Sequence, residues 1–200
     1  MHTNKKLLIV TRDQFGYHVD PYEYAKELTK YFTVTYYCWD YERPKVEVEG
    51  VEVIYSSREG NMVKRNLRFI KEFLALLPHY ECSLLFYFVG VSLGHLRAKQ
   101  NQMVCDLRTG NVRSSRFRRW FFDAITYLEL LTFRNKSFIS RGLAQHFGMG
   151  NHHILPLGSS ITPATERSYE HLHLFYVGTF SDRNGFVHTA VTKSTNVKQM

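Results

Sequence analysis

Apolar residues in this chain fall into two alternating kinds of segment: short unbroken runs, and longer stretches where they return every three or four positions. Leu7-Leu8-Ile9-Val10, behind Lys5-Lys6, is an unbroken run, the pattern of a strand covered on both faces in a parallel sheet. Residues 34–39 and 51–55 are β-branched and aromatic and read as further strands, as do 83–89, 103–107, 137–140 and 153–157. Between the first two strands, Asp20-Pro21-Tyr22-Glu23 supplies an N-cap, a first-turn proline and the return partner of a capping box. The predicted helix runs to about Phe32 and turns Ala25, Leu28 and Phe32 toward the sheet. Val63, Leu67, Ile70, Leu74 and Leu77 mark a long amphipathic helix that Pro78 closes. Helical spacing returns over 117–133, where Phe117, Phe121, Ile125 and Leu128 share a stripe, and over 141–147.

Strand and helix therefore alternate almost throughout, which predicts an α/β fold: a Rossmann-like open parallel sheet with helices on both faces. In such sheets ligands bind beyond the carboxyl ends of the strands, near the switch in strand order. The segments in that position are 11–19, 90–95, 108–114 and the stretch after Ser140. A further strand is predicted at 172–177, followed by Gly178-Thr179-Phe180-Ser181-Asp182-Arg183-Asn184-Gly185; residues 186–200 are polar and lack a helical period.

The 200 residues suffice for one full domain and part of another. Twelve Gly and five Pro argue against linkers, collagen-like repeats and low-complexity tracts, and no internal repeat is present. Thirty aromatic residues suit a surface that is part apolar and part wet. The net charge of +8, with arginines gathered at Arg113, Arg116, Arg118 and Arg119, points to phosphate-bearing partners or an anionic membrane face, or else to a solvated helix face. Cys38, Cys82 and Cys105 each sit in a strand-like run without metal-ligand spacing, as core thiols of a reducing compartment do. The apolar run at 7–10 is too short for a signal-peptide core, and the uncharged stretch 82–96 is shorter than the roughly 20 residues a membrane-spanning helix needs. The expected location is cytoplasmic, with peripheral contact at the inner face of a membrane.

In order along the chain, four features resemble the N-terminal half of a GT-B glycosyltransferase, most closely the retaining enzymes of glycosyltransferase family 4. A first strand opens into a glycine-containing loop and helix over 7–32, and Val104-Cys105-Asp106-Leu107-Arg108-Thr109-Gly110 is similar to the family's Asp-x-Arg-x-Gly loop. A helix containing Glu129 then leads to Phe138-Ile139-Ser140-Arg141-Gly142-Leu143. Ile154-Leu155-Pro156-Leu157-Gly158 and Leu174-Phe175-Tyr176-Val177-Gly178 look like the inter-domain turn and the first strand of the donor domain. The resemblance implies an acceptor-side domain at 1–158, with 159–200 as linker and first strand of an incomplete donor domain. Gly178 and Arg183 become the donor-phosphate candidates, but Thr179 and Asn184 stand where the family places basic residues. Tyr87 and Phe88 occupy the region where the family often has a histidine at the end of its fourth strand.

The residues expected at the acceptor-side cleft are Arg12, Gly16, His18, His95, Asp106 and Arg108. Each has a plainer reading. Gly16 serves equally as a turn glycine, and Asp106 with Arg108 as an ion pair that holds the loop. Most histidines in such loops are bystanders to chemistry, and no catalytic residue is assigned. His152-His153 and His171-x-His173 lack a completing carboxylate or cysteine, so no metal is expected. Over 117–133 the stripe reads as an interfacial face or as core, and its helical spacing favours core.

The resemblance implies transfer of a sugar from a nucleotide-diphosphate sugar to a glycan or lipid-linked acceptor, with no resident cofactor. Little transfer is expected of a chain holding one strand of the donor domain. A partner chain covering that strand is also expected, because a lone apolar edge recruits a neighbour. The alternative is a non-catalytic module that binds a glycan or a partner protein. Nucleic-acid binding ranks last, since no nucleic-acid module is visible.

Overall fold

The computed structural model describes residues 5–98, 102–111 and 115–156. All of these fall within the first of two compact units, Met1–Ser159. Arg113, the strand at 172–177, Gly178 and Arg183 lie outside the described residues.

The described chain is a doubly covered α/β fold, as the alternation of apolar patterns predicts. Seven strands, β1 (Lys6–Val10), β2 (Thr33–Trp39), β3 (Val51–Ser56), β4 (Cys82–Phe86), β5 (Gln102–Leu107), β6 (Asn135–Phe138) and β7 (His153–Ile154), form one sheet in the order β3-β2-β1-β4-β5-β6-β7. Every pairing is parallel. Four α-helices cross between them: α1 (Val19–Leu28), α2 (Met62–Leu76), α3 (Arg116–Leu131) and α4 (Arg141–His146).

Strand order and handedness explain which face each helix covers. The chain steps one way from β1 to β2 through α1, and the opposite way from β3 to β4, β5 to β6 and β6 to β7 through α2, α3 and α4. Right-handed crossovers then place α1 on one face and the other three on the other. Packing agrees: Leu7 and Ile9 of β1 join Ala25 of α1, whereas Leu8 and Val10 join Phe69 and Phe73 of α2, Leu130 of α3 and Ala144 of α4. No helix links β2 to β3; instead Val46 and Val48 of that connection pack on the α1 face. Cys38 and Cys105 are buried strand thiols, Cys82 is half-buried, and all three are free. Burial pushes the Cys38 thiol up to about 12.

Three expectations change on folding. Asp20 is not the N-cap of α1: His18 holds that place with extended backbone and no side-chain cap, and Asp20 sits buried in the first turn beside a cation described below. The buried face of α2 is Phe69 and Phe73, continued by Leu77, whereas Val63 and Leu67 are exposed. In α3 the correction is larger. Phe117, Phe121 and Leu128 point to solvent with Trp120 and Leu131, and the sheet takes Thr126 and Leu130 instead. That helix carries two apolar stripes at helical spacing, so the period alone does not select the inward one.

Candidate functional site

The reversal of strand order between β1 and β4 opens a crevice at the carboxyl ends of the strands, where open α/β sheets bind ligands. A cavity of about 180 Å³ lies there. Thr11, Arg12 and Asp13 enter it from the end of β1, His18 from the start of α1, Phe86 and Tyr87 from β4, and Asp106 through Thr109 from β5. Register aligns these ends, since Phe86 pairs with Asp106 and the Tyr87 amide donates to the Asp106 carbonyl at 2.9 Å.

Of the expected cleft residues, Arg12, His18, Asp106 and Arg108 line this cavity together, while Gly16 and His95 stand away from its lining. Gly16 has φ +87°, and a Cβ there would approach Val46 Cγ2 to 2.5 Å, so the turn and its packing demand glycine. His95 lies in a 3-10 turn, Val91–Leu96, with its ring 4.6 Å from that of Phe133. Its buried Nε2 has no hydrogen-bond partner. Burial lowers the pKa of this imidazole from its ordinary value.

The floor of the cleft is a charged cluster centred on Arg108. Alternation along β5 sends Met103, Cys105 and Leu107 into the core beneath α2 and α3 and leaves Asp106 on the α1 side. Asp106 is fully buried; its Oδ1 accepts from Ser137 Oγ and its Oδ2 from Arg108 Nε, each at 2.5 Å. Arg108 also donates from Nη1 to the Leu155 carbonyl at 3.0 Å and from Nη2 to the Tyr24 hydroxyl, and it lies 3.6 Å from the Asp20 carboxylate. One guanidinium thus joins β5, α1 and the segment after β7. Burial pushes the Asp106 carboxyl up, and the Ser137 hydroxyl and the Arg108 cation oppose that rise. Burial would lower Arg108, but Asp106 and Tyr24 outweigh it and its pKa is raised.

A second carboxylate anchors the other wall. Glu129 of α3 accepts from Tyr87 Oη at 2.9 Å, from the Gly90 amide at 2.7 Å and from Ser92 Oγ at 3.0 Å. Gly90 has φ +98°, and a Cβ there would meet Ile70 Cδ1 at 2.8 Å. The glycine lets the chain turn tightly after β4, and Glu129 fixes that turn. Tyr87, half-buried against Glu129, has its phenol pKa raised by burial; the Thr126 hydroxyl opposes that rise and the Glu129 carboxylate adds to it.

Asp20, Tyr24, Tyr87 and Ser137 are site residues that sequence patterning does not mark. Asp20 sits in a helix start that patterning assigns to capping, and Ser137 in a strand whose face depends on the pairing of β5 with β6. His18 and Arg12 both keep an unengaged polar atom at the cleft: the buried Nδ1 of His18 and the buried Nε of Arg12 have no hydrogen-bond partner. The motif residues Asp106 and Arg108 form a structural pair that also lines the cleft.

Among the described residues, no group of three or more His, Cys, Asp or Glu side chains could hold a metal ion. His152 Nδ1 is engaged with the Met149 carbonyl at 2.7 Å, and His171 and His173 are outside the described residues. No helix among the described residues is long and apolar enough to cross a membrane. On α3, Arg116, Arg118 and Arg119 are exposed beside Phe117, Trp120 and Phe121. A groove of about 390 Å³ lies between that helix and α4, lined by Trp120, Tyr127, Leu128 and His146 among others. Neither the protein-family models nor the curated proteins contain a match to this chain.

Proposed function

We propose that this domain is the acceptor-side half of a GT-B glycosyltransferase, holding a glycan or a lipid-linked sugar while a nucleotide-diphosphate sugar supplies the transferred group. The observation that carries the reading is the polar cleft at the β1/β4 switch, floored by the Asp-x-Arg-x-Gly segment. Sugars bind through several hydroxyls at once, and the cleft offers donors and acceptors on four elements: the end of β1 (Arg12, Asp13), α1 (His18), β4 (Tyr87) and β5 (Thr109). His18 is the residue to engage an acceptor hydroxyl, since its Nδ1 lacks a protein partner. The exposed arginines and aromatic rings of α3 suit an anionic bilayer, where a lipid-linked acceptor would reside.

Ligand-observed NMR with a panel of oligosaccharides and an alkyl glycoside tests the reading. At least one member is expected to bind, and His18→Ala to abolish its signal. Binding by no member, or binding that His18→Ala leaves intact, overturns it.

A second reading, a glycan-binding module without turnover, is favoured by one observation: the cation at the floor of the cleft, Arg108, is already satisfied by Asp106, Leu155 and Tyr24. Incubating the chain with a bound glycan and nucleotide sugars, followed by mass spectrometry, separates the two. Elongated glycan supports transfer, and binding without elongation supports the module.

A further inference from the structure

Beside the cleft, at the carboxyl ends of β1, β2 and β3, three guanidinium groups gather around one indole. The Cζ atoms of Arg12, Arg58 and Arg65 lie 4.8, 5.6 and 5.9 Å from the Trp39 ring centroid. They come from three separate places in the chain: the residue after Thr11, the segment after β3, and the first turns of α2. Arg58 also lies 3.8 Å from the Tyr41 ring. A fourth cation, the exposed Arg43, approaches the same tyrosine at 5.5 Å.

Among the described residues, no carboxylate forms an ion pair with Arg12, Arg58 or Arg65, and the Nε of each is buried without a hydrogen-bond partner. Glu129 is the carboxylate whose charge reaches Arg12, and it is taken up by Tyr87, Gly90 and Ser92. The first turn of α2 holds no acidic residue either, so its positive end adds to the field of the arginines. Like charges held this close repel one another, and the ring faces of Trp39, Tyr41 and Phe88 offset part of that repulsion.

We infer that this cluster is a binding site for a diphosphate group, seated between Arg12, Arg58 and Arg65 over Trp39. A guanidinium presents a planar fork of N–H donors that matches phosphate oxygens. Several forks converging from different elements suit an anion with many oxygens and more than one negative charge. A single carboxylate would leave most of the cluster's charge unbalanced. The inference stands whether or not the neighbouring cleft takes a sugar. The diphosphate could be free, or carried by a nucleoside or an isoprenoid, and each carrier places the same group before the same donors.

Trp39 reports on its own site. The chain has two tryptophans, so in a Trp120→Phe background the indole fluorescence is that of Trp39 alone. Inorganic pyrophosphate is expected to change it saturably with Kd below about 1 mM, and Arg58→Gln or Arg65→Gln to weaken binding by about tenfold or more, the loss of one charge-assisted contact. Arg65→Lys, which keeps the charge without the fork, should fall between, and it keeps the test decisive if a glutamine variant fails to fold. Uridine diphosphate and farnesyl diphosphate, titrated in parallel, identify the carrier by which binds tighter than pyrophosphate. Absence of binding, equal affinity in folded Arg58→Gln and Arg65→Gln, or citrate binding as tightly at matched ionic strength would each overturn the inference.

Discussion

Replacing Arg108 with alanine tests the charged floor of the cleft most directly. The side chain is 9% exposed and its partner Asp106 is completely buried, so the substitution leaves a carboxylate in the interior with the Ser137 hydroxyl as its remaining side-chain donor among the described residues. Breaking a buried pair from one side costs about 3–5 kcal/mol, because the orphaned charge keeps its desolvation penalty and loses its compensation. The buried Asp20 also loses its cation, but the two losses share one side chain and do not add. In a chain of this size, 3–5 kcal/mol corresponds to a fall of roughly 6–20 °C in melting temperature. Urea unfolding followed by circular dichroism gives the free energy.

Two further readouts tie that loss to the orphaned charge. Adding Asp106→Asn to Arg108→Ala removes the charge and should restore about half of the loss or more. In Arg108→Ala the Asp106 pKa is raised above its unfolded value, so the native state binds the extra proton. The deficit relative to wild type should then shrink as pH falls from 7.5 toward 5 and grow as pH rises. A loss under about 1 kcal/mol, the range of an exposed pair, or a double variant no better than the single, would refute the reasoning.

Three other outcomes are expected. The folded-state pKa of His95 is lowered by burial, so the unfolded chain takes up this proton first: stability should fall as pH drops below about 6.5. His95→Phe should flatten that part of a melting-temperature profile; a profile parallel to wild type would show the imidazole to be solvated. Replacing Arg116, Arg118 and Arg119 together with Gln should weaken binding to anionic vesicles by roughly 100-fold, at about 1 kcal/mol per arginine near the surface, and leave neutral vesicles unaffected. Unchanged sedimentation with anionic vesicles would reduce the α3 face to solvated surface. Phe73→Ala should cost about 3–5 kcal/mol and Leu67→Ala less than about 0.5 kcal/mol in the same urea assay; the reverse order would mean that α2 packs through its other stripe.

Local pattern determined the class of the fold. A run such as Leu7-Leu8-Ile9-Val10 is stable only with cover on both faces, so strands of that kind joined by amphipathic helices imply a parallel sheet with two covered faces. The same reasoning placed Arg12, His18, Asp106 and Arg108 at strand and helix ends, and they meet in one cleft because all such ends lie on one edge of a parallel sheet. What each side chain does there depended on residues far away in sequence. Asp106 becomes a buried anchor through Ser137 and Arg108, and Asp20 leaves its predicted cap because Arg108 stands opposite. Trp39 gathers arginines whose places in the chain are separated by the second and third strands. In α3 the sequence carries two apolar stripes of equal period. The tertiary structure chose between them, since turning Thr126 and Leu130 inward also brings Glu129 to Tyr87 and Gly90. Periodicity measures how apolar a face is; the facing surface supplies the partner that decides whether it is buried.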